Sequence, residues 1–422
     1  MPEPGLIQGL FRSEHGKIVS VLVRAFGIIH SEIAEDIVKD TFLAALESWE
    51  SKGIPENPQA WLYAVAKNKA KDHFRREKLF SERIAPEIIH LAGQEGEPAA
   101  EPALDLSEKN IVDSQLQMIF TICNPEIPVE AQIGLALRIL CGFGIEEIAA
   151  AFLTTKETIN KRLFRAKERL RSEAFRIESL SGEDIQHRLE AVLATLYLLF
   201  NEGYHSSTQD EVFRKSLCVE AMQLNHFLVE NPLTNRPEAN ALLSLMCFHS
   251  SRFAARKGDA GLILYGDQDR SLWDDALIAK GNYFLIESAK GQVLSKYHLE
   301  ASIAYWHCTR LEPADKWERI LQLYNQLLQL EYSPIAALNR TYAFSRTHGK
   351  EAAIREAEKL CLSDSHLYHA LLGHLYSQVD SSAALRHYRT ALEMAKTAGD
   401  RKVIENAMQA LVFKHSEGEI PP

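Results

Sequence analysis

A chain of 422 residues is too long for one small fold and has room for roughly two to four domains. Its hydrophobic fraction of 46%, charged fraction of 25%, 21 glycines and 15 prolines are ordinary globular values, so the chain can bury sizeable cores and is not broadly disordered. A formal net charge of -10 opposes nonspecific binding to nucleic acid, so any contact with DNA has to come from local basic patches. Two such patches exist: residues 67–83 hold seven basic and three acidic side chains, and residues 156–176 hold eight and three. Between them, residues 84–108 carry six acidic residues and no Lys or Arg. The chain start has no basic-then-apolar signal pattern, and the longest near-continuous apolar run, Ala191 to Phe200, is about half of what a membrane span needs. A cytoplasmic protein with no membrane partner is expected. Cys123, Cys141, Cys218, Cys247, Cys308 and Cys361 are dispersed, without a C-x-x-C, and read as core thiols rather than disulfides or a zinc site.

Helical periodicity dominates from end to end, and no alternating β-branched run exceeds a few residues, so an all-α protein is predicted. The first informative helix runs from about Ser31 to Trp49. Ile33, Ile37, Leu43 and Leu46 are its core candidates, and Glu32, Glu35, Asp36 and Asp40 point outward. An acidic face does not bind DNA; it docks a basic protein surface or is simply solvated. Next, Asn57 can cap a helix that Pro58 opens and that continues to Phe80. Trp61, Leu62, Val65, Ala66 and Phe74 form its packing side, while Asn68, Lys71, Asp72 and Arg75 share one polar face. Mixed donors and positive charge suit nucleic acid, with nearby aromatics offering stacking surfaces; alternatively the face is solvated, with Asp72 and Arg75 paired. The first helical block ends near Phe80, and Gly93 to Pro102 is an acidic, Pro/Gly-punctuated linker.

A second helical block runs from about Glu108 to Leu180 and contains the sharpest local signal. Gly144 to Phe152 reads as a short helix, Leu153-Thr154-Thr155 as a turn, and Lys156 to Leu170 as a second helix: a helix-turn-helix. On the second helix Ile159, Leu163, Ala166 and Leu170 recur on one face. Glu157, Lys161, Arg165 and Glu168 lie opposite, with Asn160 at their flank, so that face can enter a major groove. Ser181 to Asp184 then separates a long apolar-rich helical region. Within it Ala337-Leu338, four residues before Tyr342, reappear as Leu371-Leu372 before Tyr376, 34 residues on, each followed by a second helix pattern. The second unit's inter-helix turn reads as three residues shorter. A tetratricopeptide-like array of helix pairs is the natural reading, with Pro237 and Pro334 at helix starts.

Three motifs in order carry a resemblance: Glu35 to Phe42; Trp61 to Asn68 with Asp72 and Arg75-Arg76; and the acidic linker followed by the helix-turn-helix. Together they resemble bacterial extracytoplasmic-function sigma factors of the sigma-70 superfamily. The resemblance extends to Leu196 to Tyr204 and Asp267 to Asp274, which look like stretches of the subgroup with a C-terminal tetratricopeptide-like extension. It implies an all-α chain of two small helical sigma domains plus an α-helical repeat domain: region 2 at residues 1–83, a flexible acidic linker at 84–110, region 4 at 111–180 and the extension at 185–415. It implies that Asp36, Lys39 and Asp40 dock the clamp helices of RNA polymerase core, with the flap of the second-largest subunit a further contact. Trp61, Lys67, Asn68, Lys71, Arg75 and Arg76 would capture the melted -10 strand. Lys156, Glu157, Asn160, Lys161, Arg162 and Arg165 would read the -35 element. The extension would regulate sigma activity in cis and present a surface for a protein or peptide partner.

The remaining features give no catalytic, metal or cofactor site. Asp267, Asp269, Asp274 and Asp275 lack the Gly and Glu that a calcium loop needs at its sixth and twelfth positions, and Ser271 to Asp274 reads better as a capping box. Asn201 to Tyr204 reads as a Gly-assisted helix stop. Gly142-Phe143-Gly144 lacks the preceding strand and third Gly of a dinucleotide loop, and His307-Cys308, His366 and His369 read as packed or surface residues. Two rival readings remain: a helix-turn-helix regulator acting without polymerase, which the net charge disfavours, and a tetratricopeptide-like scaffold that binds proteins.

Overall fold

The computed structural model describes residues 4–79, 104–152, 154–172, 182–205, 211–258, 261–263, 265–310, 312–395 and 397–417. These residues are helical throughout, apart from loops and one two-residue antiparallel ladder pairing Lys257 with Leu262 and Gly258 with Gly261. They gather into two units, one from Met1–Glu202 with Val219–Thr234, the other from Gly203–Cys218 with Asn235–Pro422. No helix among them is long and apolar enough to cross a membrane.

The first unit begins with α1 (Pro4–Phe26), α2 (Ser31–Lys52) and α3 (Pro58–Leu79). The buried run Ile18, Val19, Val21, Leu22 and Val23 puts α1 in the core, and α2 packs on both α1 and α3. Gly27 and Gly53, with φ of 84° and 83°, end α1 and α2 in a backbone region that glycine enters without a Cβ penalty. Asn57 caps α3 by accepting from the Ala60 N–H at 3.0 Å. Glu14 ties α1 to α3: its fully buried carboxylate accepts from Tyr63 Oη at 2.5 Å, Gln59 Nε2 at 2.9 Å and Lys17 Nζ at 3.0 Å.

The same unit continues with α4 (Glu108–Ile122), α5 (Val129–Leu135), a π-helical turn (Ala136–Leu140), α6 (Ile145–Ala151), α7 (Lys156–Ser172), α8 (Gly182–His205) and α9 (Glu211–Glu230), the last of which also contributes to the second unit. Helix α1 packs on α4 and on the π-turn so closely that a Cβ on Gly16 would stand 1.7 Å from the Leu140 carbonyl oxygen. Polar contacts reinforce this seam. Arg24 donates to Asn110 Oδ1 at 3.0 Å, and Glu35 Oε2 meets Arg138 Nη2 at 2.6 Å. Lys167 of α7 stands 3.7 Å from both Glu32 and Glu35. Helix α8 is built into the same core: Thr195 donates to Gln132 Oε1 at 3.1 Å, Cys123 Sγ donates to Thr195 Oγ1 at 3.5 Å, and Arg188 donates to the Phe120 carbonyl at 3.2 Å.

The second unit stacks α10 (Pro237–Ser250), α11 (Asp275–Ser288), α12 (Lys296–Cys308), α13 (Lys316–Leu330), α14 (Pro334–His348), α15 (Lys350–Glu358), α16 (His366–Tyr376), α17 (Ser381–Met394) and α18 (Ala398–Glu417). Helix α10 packs on both α11 and α12, the later helices pack mainly on their sequence neighbours, and three successive apolar clusters form the spine, centred on Ile320 and Tyr324, on Ala353 and Leu372, and on Tyr388 and Ala391. Prolines stand at the starts of α10 and α14, as the sequence indicates. The second repeat's inter-helix turn is longer than the first's, not shorter, and its first helix is shorter. Helix α14 has 15 residues and passes to α15 through Gly349 alone, whose φ is 85°; α16 has 11 residues and a longer connection to α17.

Several local expectations change. Leu43 and Leu46 are 59% and 46% exposed, not core, while Glu35 is buried. Ile37 is buried as expected, and the rest of the buried stripe of α2 is Ala34, Val38, Thr41, Phe42, Ala45 and Trp49, the side that faces α1 and α3. Gly182 to Asp184 are the first turn of α8 rather than a separator, and α8 continues through Gly203 to His205. Helix α11 is capped by Asp274, which accepts from the Ala276 and Leu277 N–H groups at 2.9 and 3.0 Å, so the capping box expected at Ser271 does not form. Of the six cysteines, Cys361 is exposed and the other five are buried.

Candidate nucleic-acid and protein interface

On α2 the residues Asp36, Lys39 and Asp40 are all exposed. Lys39 pairs with Asp36 at 2.9 Å, one turn away on the same helix. Leu43 and Leu46 continue this face at i+3 and i+6 from Asp40. The result is an acidic patch with an adjoining apolar strip, open to solvent, backed by the buried side of the helix.

On α3, Trp61 is half-buried and packs edge-on to Trp49, with ring centroids 5.4 Å apart. Leu62, Ala66 and Ala70 are fully buried, which leaves Asn68, Lys71, Arg75 and Arg76 on the exposed side and Lys67 half-buried at its margin. Asp72 engages two of these residues: its carboxylate stands 3.7 Å from Arg75, and its carbonyl accepts from Arg76 Nε at 3.3 Å. An exposed pair of this length contributes little to stability, so Arg75 can exchange Asp72 for another anion at small cost. Lys67 also reaches the field of Asp105, whose carboxyl is held below the usual range first by the Ser107 N–H and hydroxyl and then by that lysine.

On α7, Ile159, Leu163, Ala166 and Leu170 are between 0% and 4% exposed, the face that the periodicity assigns to the core. Thr155 caps the helix by accepting from the Thr158 N–H at 3.2 Å. Lys156, Glu157, Asn160, Lys161 and Arg165 are exposed and Arg162 is half-buried. Lys156 pairs with Glu146 of α6, and the Arg162 guanidinium lies over the Phe152 ring at 5.6 Å, two contacts that hold the start of α7 against α6. The other face of α7 carries Lys167 into the seam with α2. The three predicted residue sets therefore stand on three separate helices of one unit, exposed apart from the half-buried Trp61, Lys67 and Arg162.

Sequence reasoning missed the Glu35–Arg138–Lys167 group, because partners about 100 residues apart leave no local pattern. It also missed a polar cluster in the second unit. Tyr204, Tyr265, Arg270 and Trp273, which come from the two marked stretches or stand beside one of them, meet around Arg252. The marked stretches were the available signal; their convergence was not.

Residues 10–80 match the family described as Sigma-70 region 2, and residues 188–289 match a family of unknown function, DUF6596. An uncharacterised protein of Rhizobium meliloti strain 1021, R00370, is 31% identical over 416 residues, 97% of each chain. The ECF RNA polymerase sigma-E factor of Escherichia coli K12 is 28% identical over 162 residues, 37% of this chain and 80% of its own. Its Haemophilus influenzae namesake is 27% identical over 135 residues, 32% of this chain and 70% of its own. No solved structure matches the chain. With region 2 matched over α1 to α3 and extracytoplasmic-function sigma factors among the relatives, the chain belongs to the extracytoplasmic-function branch of the sigma-70 family and is a sigma factor extended at its C-terminus by a helical domain.

Proposed function

We propose that this sigma factor binds RNA polymerase core, directs it to specific promoters and assists melting, while its C-terminal extension regulates that activity in cis. The observation that carries the reading is the segregation on α7: four apolar positions buried on one side, with Lys161, Arg165 and Asn160 exposed on the other. Such a helix supplies phosphate contacts and base-edge contacts together, which suits recognition of the -35 element. Helix α3 supplies the second contact. Asn68, Lys71, Arg75 and Arg76 give donors and positive charge to an unpaired -10 strand, and Trp61 and Lys67 border them. Helix α2 supplies the protein contact, with Asp36, Lys39 and Asp40 meeting the clamp helices of the largest polymerase subunit and Leu43 and Leu46 adding apolar area; the flap of the second-largest subunit is left to the α4–α7 segment. Nothing in this mechanism asks the chain for catalysis; it binds, and polymerase transfers nucleotides.

The division into residues 1–83, 84–110, 111–180 and 185–415 follows the same reading, with the last segment a tetratricopeptide-like array that takes a protein or peptide partner. Because α8 packs on α4 and α5, the extension begins inside the first unit, which gives it a covalent and a packed connection to the DNA-reading segment.

In vitro transcription with purified polymerase core on a promoter-fragment library tests the proposal. Promoter-specific transcripts are expected from the full chain. Lys161→Ala with Arg165→Ala should lose use of the upstream element, whereas Asn68→Ala with Arg75→Ala should retain promoter binding and lose opening. Failure of the full chain to bind core at all would refute the sigma reading and leave a protein-binding scaffold.

A further inference from the structure

Among the described residues of the second unit, positive charge gathers around Tyr265 with one carboxylate beside it. Lys316 is 1% exposed, and its ammonium donates to Glu312 Oε1 at 3.0 Å and to Tyr265 Oη at 3.2 Å. The same Glu312 oxygen takes Arg270 at 2.6 Å, so one carboxylate serves two cations. A third cation, Arg252, meets no carboxylate among the described residues. Its guanidinium donates to Tyr204 Oη at 3.3 Å and lies over the Tyr265 ring at 5.4 Å, and its Nε is buried without an acceptor. Tyr265 is the hub. Its hydroxyl donates to the His307 carbonyl at 3.0 Å, its ring stacks with Trp273 at 6.4 Å and meets His307 edge-on at 4.7 Å. Both Trp273 Nε1 and His307 Nδ1 are buried without partners. The imidazole is held neutral down to about pH 3, by burial first and then by the charges of Arg252 and Lys316.

Buried cations in folded proteins are paired, and buried donors find acceptors. Here three cations face one carboxylate, and unsatisfied N–H donors stand around one aromatic ring. An oxyanion supplies what the group lacks: negative charge for Arg252 and Lys316, and acceptor lone pairs for Arg252 Nε and Trp273 Nε1. Arginine forks match carboxylate and phosphate geometry equally well. Arg270, 39% exposed in its side chain, stands at the solvent side of the group, where an anion arriving from water meets it first. We propose that the Arg252–Tyr265–Lys316 cluster is a binding site for a small ligand bearing a carboxylate or phosphate group. This site is separate from the promoter and polymerase contacts and requires no part of the sigma reading. It gives the extension a chemical input of its own.

Calorimetric titration of the full chain with inorganic phosphate and, separately, with succinate, at ionic strength fixed by sodium chloride, tests it. Saturable one-site binding of one probe is expected, phosphate indicating a phosphate-bearing ligand and succinate a carboxylate-bearing one. Arg252→Gln should weaken that binding at least tenfold. Arg270→Gln, at an exposed position that leaves the fold intact, should weaken it severalfold, and Arg319→Gln, exposed on α13, should leave it unchanged. Absence of saturable binding by either probe, or equal affinity in the wild type and the folded Arg252→Gln and Arg270→Gln variants, would overturn the proposal and leave a structural cation–π cluster. Transcription is not read in this experiment, so its outcome and that of the promoter assay are independent.

Discussion

Single residues set how α7 meets DNA. Lys161 and Arg165 are exposed and oriented away from the core, so removing either side chain leaves packing intact. Each alanine substitution should reduce the slope of log affinity against log salt by about 1 when the holoenzyme binds an upstream element, with little change in melting temperature. Filter binding over a range of salt concentrations measures this; an unchanged slope would remove that side chain from the phosphate contacts. His15 sets a pH dependence. It is buried beside Arg138, and burial first, then the charges of Arg138 and Lys39, lower its pKa from 6.5 to about 3. The unfolded chain takes up this proton below about pH 6.5 and the folded chain does not. The stability His15 provides is therefore full above pH 6.5 and is lost as pH falls toward 3, by about 2 kcal/mol between pH 7 and 5. Urea unfolding at the two pH values should show that loss reduced by the same amount in His15→Phe.

At the scale of elements, the contact of α1 with the π-turn and the docking of α8 on α4 and α5 decide what can be removed. Gly16→Ala places a methyl group where a backbone oxygen already stands, and an oxygen of the main chain cannot rotate aside. The variant should lose about 2 kcal/mol or more of stability, read by denaturant midpoint, through forced separation of α1 from Leu140. A chain ending at Ser181 loses α8, which strips Gln132 of Thr195 and uncovers the buried surface around Phe120. A chain ending at Thr234 keeps every segment of the first unit. The shorter truncation should aggregate or melt well below the longer one in thermal scans; equal melting would mean that α8 contributes nothing to this core.

For the whole molecule the Thr234 boundary is also the cut to use when asking what the extension does. Comparing transcription by the full chain and by the chain ending at Thr234, on the same promoter and with the same core, separates two outcomes. Greater output from the shorter chain identifies the extension as an inhibitor, and lost output with retained core binding identifies it as a required part of the active factor. Equal output from both would remove cis regulation from the proposal. The Glu35–Arg138–Lys167 group bears on the same question, since it joins the helix proposed to dock polymerase to the helix proposed to read DNA. Breaking a largely buried ion pair leaves a charge without compensation, so Arg138→Ala should cost about 3 kcal/mol in the stability of the first unit.

The all-α class, the solvent face of α7, the cap at Asn57 and the family were legible in the sequence because each rests on local spacing: apolar positions at helical period, a capping residue before a proline, motifs in a fixed order. Chain periodicity alone placed Ile159, Leu163, Ala166 and Leu170 inside, and inside is where they are. Tertiary structure decided the rest. Which stripe of α2 is buried depends on where α1 and α3 approach, so Leu43 and Leu46 face water although their spacing suits a core. Glu35 belongs with Arg138, and Arg252 with Tyr204 and Tyr265, through contacts between residues distant in sequence. A helical period says that one face will be buried; only the neighbours that arrive there decide which face, and with which charges.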